Sequence, residues 1–268
     1  MKKIFSVAVI TLLAFFVCLT AQKASAKNIN VQDRKVTIQG ATPDNPVVSL
    51  GKAFDKKSGK MVEGIAIIHY AKSAAKPGKP SRTACYGFIA KGAKWKGTPE
   101  SWTVDSVNDG DLGGAFLKSN IEKDITKWET AAGNINILGE GSTGTVSSLP
   151  GDTLDDRNEV TFASIQNQGV IAVTTLWGYF GGPAAYRELV EWDQIYSTNY
   201  KWSKNATDDP TSMDFENIAT HELGHSVGMD DLYNSNCSTQ TMYGYANFGE
   251  TDKRSLEAGD IEGINLLY

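Results

Sequence analysis

The stretch His221-Glu222-Leu223-Gly224-His225 decides how this chain is read. On a helix, residues four apart lie on one face and one turn apart, so both imidazoles face a single divalent ion. Glu222 sits about 100° round the helix from His221, close enough to reach a water beside that ion without binding the ion itself. Zinc lowers the pKa of such a water towards about 7, and an adjacent carboxylate takes its proton as the water attacks a polarised carbonyl. The bland alternative is a structural helix carrying this pattern by coincidence. Histidine usage argues against coincidence, because the chain has 3 histidines and two of them fall in this one turn.

A catalytic zinc takes three protein ligands and keeps one position open, so one ligand lies outside the pair. Gly228 tolerates the positive φ that ends a helix and turns the chain sharply. Asp231, three residues on, is then brought back to the ion, with Asp230 as the competing choice.

The rest of the chain sets the context. Residues 1–26 read as an export signal: Lys2 and Lys3, an uncharged apolar stretch over 4–20, and a small-x-small site at Ala24-Ser25-Ala26. Cleavage there leaves about 240 residues, enough for one good core and a smaller appendage. The signal takes three lysines and no acid with it, so the mature chain is more acidic than the full chain's net charge of -5. That balance argues against nucleic acid as a partner, and no later segment has the unbroken apolar length of a membrane span. The protein is expected to be secreted, off the membrane after cleavage, and monomeric. Cys85 and Cys237 survive cleavage, and two cysteines in an exported chain suggest one disulfide.

Along the chain, residues 28–70 are β-like, with alternation at Asn30-Val31-Gln32 and Arg34-Lys35-Val36-Thr37-Ile38 and a buried-strand run over 63–70. Residues 71–82 are rich in Lys, Pro, Ala and Gly with little to bury, and read as a linker. Beyond Cys85 a strand is expected at Trp102-Thr103-Val104 and a helix over 112–132, where Phe116, Ile121, Ile125 and Trp128 fall near helical spacing. Further strands are expected at 134–138, 159–165, 170–177 and 188–196. Asp214 or a neighbour caps a helix that runs through Ile218 and His221 to about Gly228, and a last helix covers 256–268.

His221-Glu222-x-x-His225-x-x-Gly228-x-x-Asp231, followed by Thr241-Met242-Tyr243, resembles the metzincin metallopeptidases, and within them the matrixin-like group. The pattern departs at the third ligand, which is Asp rather than His, as in snapalysin-like members. The resemblance extends over about residues 90–268, taking in Lys94-Trp95, Trp128 late in the first helix, and Asp260-Ile261-x-Gly263-Ile264-x-x-Leu267-Tyr268 at the end. It implies an α+β catalytic domain over 88–268, with a twisted, mixed five-stranded sheet and three main helices, preceded by a small β-rich pro- or accessory region over 27–87. It implies one catalytic zinc on His221, His225 and Asp231, with Glu222 as general base acting on a protein or peptide substrate. Met242 with Tyr243 would form the Met-turn beneath the metal, and Gly244 stands where other metzincins place a switching tyrosine. The family's strand order makes residues 170–177 the antiparallel edge beside the cleft, so Val170-Ile171-Ala172-Val173-Thr174 would receive a substrate by strand addition.

Weaker signals surround this reading. His69, on an apolar strand upstream of the catalytic region, reads as a packed histidine rather than a ligand. Calcium is a candidate for the acidic loop 152–156 or for the neighbourhood of Asp193, against a plain solvated loop. Cys85 has two functional readings, a latency cysteine capping the zinc or a disulfide partner for Cys237; the sequence around Cys85 lacks the family's latency motif, and the disulfide is favoured by the oxidising compartment and a single available partner. The glycosylation patterns at Asn205 and Asn236 decide nothing. The expected function is a secreted zinc endopeptidase; the alternative is a non-catalytic binding or adhesion protein that keeps the scaffold, and the intact Glu222 speaks against it.

Overall fold

The computed structural model describes residues 34–74, 84–97, 99–146, 149 and 153–268. The signal at 1–26, the strand at Asn30-Val31-Gln32, most of the linker at 71–82 and Asp152 of the acidic loop lie outside the described residues. Among those described, the strands are β1 (Lys35–Val36), β2 (Val47–Asp55), β3 (Lys60–Ala71), β4 (Trp102–Val104), β5 (Gly141–Thr143), β6 (Asn158–Ile165), β7 (Val170–Tyr179), β8 (Glu188–Ser197), β9 (Trp202–Ser203), β10 (Met213–Asp214) and β11 (Tyr245–Ala246). Three α-helices join them: α1 (Gly114–Ala131), α2 (Phe215–Ser226) and α3 (Ala258–Leu267).

The fold is α+β. A mixed five-stranded unit runs in the order β5-β4-β6-β8-β7, parallel throughout except for β7, which lies antiparallel to β8. β7 reads VIAVTTLWGY and is buried along nearly its whole length, as a strand covered on both faces must be. β9 and β10 form a separate small pair that leads into α2. The helix side of the sheet packs Trp128 of α1, Phe215, Ile218 and Leu223 of α2 and Ile264 of α3 against Phe162, Leu176 and Trp192.

The N-terminal strands extend this unit, and here the structure corrects the expected edge. β3 pairs antiparallel with β7 from Glu63↔Gly178 to Tyr70↔Val170, so Ala172 to Thr174 are flanked by strands on both sides and Val170 is paired with β3. β2 and the short β11 cover the far side of β3, and β1 pairs parallel with β6. The physical cause lies in β3 itself. Its run Ile65-Ala66-Ile67-Ile68 is apolar on both faces, and β7 offers it an open row of backbone donors and acceptors. Ile38, Val48, Ala66, Ile68 and Tyr70 then make a second core with Val170, Val173 and Ile195 on the face away from the helices.

The strand expected over 134–138 is absent. The amides of Ile137 and Leu138 donate instead to Glu129 Oε1 at 2.7 and 3.0 Å, which diverts them from a ladder, and pairing begins later, at β5. Cys85 and Cys237 are joined as a disulfide, tying the stretch before β4 to the loop between Asp231 and Met242. The sulfur of Cys85 is thereby committed, which removes it as a latency ligand. Nor do the described residues of the acidic loop gather cation ligands. The amide of Asp155 donates to Glu191 Oε2 at 3.0 Å and that of Asp156 to the same oxygen, and among the described residues no set of three acidic groups converges near Asp193.

Glu191 is fully buried, and burial raises its carboxyl from 4.5 to about 8, with the two loop amides opposing the shift and the charge of Asp155 adding to it. The folded state therefore holds a proton that the unfolded chain has lost between about pH 4.5 and 8, so this group's contribution to stability falls as pH rises through that window. Glu191→Gln is expected to raise the melting temperature relative to wild type at pH 8, with the gain shrinking towards zero at pH 5; thermal denaturation at both pH values checks this.

Candidate metal centre

α2 begins where the carboxylate of Asp214 accepts from the amide of Asn217 at 2.9 Å, a side-chain N-cap further held by Arg254. Every residue of the helix is buried. One turn apart on it, His221 and His225 bring their ring centroids to 4.9 Å. Each Nδ1 is tied to a backbone carbonyl, His221 to Thr241 O at 2.7 Å and His225 to Met229 O at 2.9 Å. A carbonyl can only accept, so both Nδ1 atoms donate, and on each ring Nε2 is the nitrogen left to face a metal.

Asp231 completes the set. Its Oδ1 lies 3.2 Å from His221 Nε2 and 3.5 Å from His225 Nε2. A tetrahedral zinc bonded at about 2.0–2.1 Å holds its donors about 3.3 Å apart, which is the spacing found. All three donor atoms are buried and have no hydrogen-bond partner beyond one another, an arrangement that a cation among them would satisfy. The residues therefore fit a zinc ion with one position left for a further ligand. Asp230 does not join this cluster; its amide donates to Gly87 O at 3.0 Å.

The turn that delivers Asp231 depends on Gly228, whose φ is 104° and whose absent Cβ would stand 2.8 Å from Ala93 O. Leu232 and Gly244 then exchange backbone bonds with Met242 O and Leu232 O, clasping the Asp231 segment to the loop that carries Met242. Met242 is fully buried under α2, where Gly224 leaves room for its sulfur and for Trp128. At the start of α3, Asp260 accepts from the amides of Thr241 and Met242 at 2.8 and 3.1 Å, so the last helix fixes the carbonyl that orients His221.

Glu222 stands beside the donors with both oxygens engaged. Oε1 lies 2.9 Å from His69 Nδ1, and Oε2 accepts from Thr174 Oγ1 at 2.6 Å. Burial raises its carboxyl above the usual range, with His221 and His225 opposing the shift. Burial pulls His221 down to about 4. Burial also works against charge on His225, yet the adjacent Asp231 carboxylate holds it up at about 9. Asp231 in turn is kept well below the ordinary carboxylate range, because His225 outweighs its burial.

Three participants escaped the sequence reading. His69 was expected as an ordinary packed histidine, but its ring lies 4.0 Å from that of His221 and its Nδ1 meets the proposed base. Its signal was faint: it is the only histidine outside the motif, on a strand that looked like part of another region. Tyr233 donates to Asp231 Oδ2 at 2.8 Å, and a Cβ at Gly244 would stand 2.5 Å from its ring, so Gly244 makes room for a tyrosine that orients the ligand. Nothing in the spacing announces that pair. Thr174, expected among the peptide-binding residues, turns its hydroxyl to Glu222 instead.

Residues 147–268 match the model of the matrixin family. No curated protein matches the chain. Among solved structures, a metalloproteinase-II from Bacteroides fragilis is similar at 11% identity and a TM-score of 0.35, over 80% of this chain and 74% of that one. A likeness that slight bears neither on the fold nor on the chemistry.

Asp231→Ala is expected to abolish stoichiometric zinc binding while Asp230→Ala retains it, read by competition with a chromophoric chelator. In the same titration Tyr233→Phe should weaken zinc binding about tenfold, as loss of a ligand-orienting hydrogen bond does.

Proposed function

We propose, with residues 147–268 matrixin-like, that this chain is a secreted, zinc-dependent endopeptidase that hydrolyses peptide bonds of protein substrates. The observation that carries the reading is the convergence of three buried donors, with no partner beyond one another, beside a glutamate. Zinc, when bound, supplies a Lewis acid that polarises a carbonyl and lowers the pKa of water. His221, His225 and Asp231 hold it, and the carboxylate among them makes the ion less positive than three imidazoles would. Glu222 acts as general base: its raised proton affinity suits it to take a proton from the attacking water at Oε1 or Oε2 and pass it to the leaving amine. The base therefore needs one of these oxygens free of its present partner. A peptide would dock by strand addition along Val170 to Thr174 once β3 no longer pairs with that stretch. Export is supported by the signal-like residues 1–26 and by the disulfide, and no helix among the described residues is long and apolar enough to cross a membrane.

Glu222→Gln is expected to keep one zinc per chain yet lose about a thousandfold in chelator-sensitive casein cleavage over a prolonged incubation. Equal cleavage by the variant and wild type would sink the assignment of the base.

A further inference from the structure

The groove that a substrate needs is filled by the chain itself. β3 runs antiparallel to β7 through eight register pairs and parallel to β11 through Tyr245↔Tyr70 and Ala246↔Ala71. It is thus held by main chain on both sides, as an extended peptide drawn past the metal ligands would be. Alternation along a strand puts Ile65, Ile67, His69 and Ala71 on one face, and Ile67 and Ala71 lie in the core beside α2. His69 accordingly points at the metal cluster. The register with β7 shifts between His69 and Tyr70, a bulge of the kind that re-aims a side chain.

At its tip His69 engages the machinery directly. Its Nδ1 occupies Glu222 Oε1, its ring covers that of His221, and its Nε2 is buried without a hydrogen-bond partner. With Thr174 on Oε2, neither oxygen of Glu222 is unengaged. His221, Glu222 and His225 are 0% exposed and Asp231 is 7% exposed, so no peptide carbonyl reaches them while β3 is in place.

We propose that β3 is an internal occupant of the peptide groove, with His69 as its plug, and that the structure described here is the latent form of the enzyme. The inference rests on the peptidase reading of the same site. The active form is one in which β3 has left β7, so that Val170 to Thr174 become the edge that the sequence anticipated. The disulfide does not retain β3, because Cys85 and Cys237 both lie after it in the chain. What holds it is strand pairing and the second core, in which Ala66, Ile68 and Tyr70 are buried. Those contacts keep the open form rare, so that wild type cleaves only slowly.

The test uses the full zinc- or cobalt-loaded chain and three variants. His69→Ala removes the plug, His69→Gln keeps a polar side chain there, and Gly64→Val puts a side chain where a Cβ would already stand 2.6 Å from the Trp177 ring of β7, loosening the pairing. Two readouts are taken: acetohydroxamate affinity from the visible spectrum of the cobalt-loaded protein, which needs no turnover, and hydrolysis of a short fluorogenic peptide. Expected are a gain of at least tenfold in hydroxamate affinity and a rise in peptide turnover for His69→Ala and Gly64→Val, a smaller gain for His69→Gln, and inhibition of the opened variants by a synthetic peptide of residues 60–71. Unchanged hydroxamate affinity in both opened variants, or turnover that falls in His69→Ala, overturns the proposal and makes His69 a fixed positioning residue for Glu222. Hydroxamate affinity that rises with no turnover in any form upholds the plug and sinks the peptidase reading. Wild-type turnover equal to that of the variants does the reverse.

Discussion

Two backbone carbonyls set the geometry of the candidate metal centre. Thr241 O and Met229 O each accept a hydrogen bond from the Nδ1 of a histidine, and those bonds turn both Nε2 atoms to one point. Much of the surrounding structure exists to place those carbonyls. Asp260 pins the amides of Thr241 and Met242 from the start of α3, and Gly228 bends the chain so that Met229 returns to His225 and Asp231 to the donor cluster. The missing side chain of Gly224 lets Met242 and Trp128 close in beneath the helix. The ligands are rigid because each supporting contact is buried and each polar partner is a fixed main-chain group or a carboxylate with a single role.

The same density creates a problem of access. A sheet strand such as β7, with a full row of hydrogen-bonding groups beside a metal cluster, is either paired or open to any extended chain. Here β3 pairs with it, and the arrangement couples two things at once: the edge is satisfied, and the base is occupied. Stability and chemistry therefore compete for the same backbone. The N-terminal strands bury a whole second core against the sheet, so their departure is a large rearrangement rather than the swing of a side chain.

Some of the fold was legible because local rules govern it. The helical 3.6 period placed His221 and His225 on one face of α2, the cap at Asp214 opened that helix, and the apolar runs of β6, β7 and β8 announced strands within two residues of their bounds. The strand misread at 134–138 failed for a local reason of another kind: a glutamate eight residues back in the chain captured its amides, and alternation of residue types carries no information about that. The linker composition near 71–82 suggested a boundary, yet β3 crosses to the main sheet regardless, because strand pairing depends on what lies open in space.

By itself the sequence determined the element that bears the candidate metal ligands, the glutamate proposed as base, and the turn after Gly228, since each depends on spacing within a dozen residues and on the backbone freedom of one glycine. Only the tertiary structure decided which histidine meets Glu222, which tyrosine orients Asp231, and what lies along β7. Those contacts join residues such as His69 and Glu222, 153 positions apart, and such pairs are selected by packing and by the need to satisfy buried polar atoms, neither of which leaves a period or a motif in the chain.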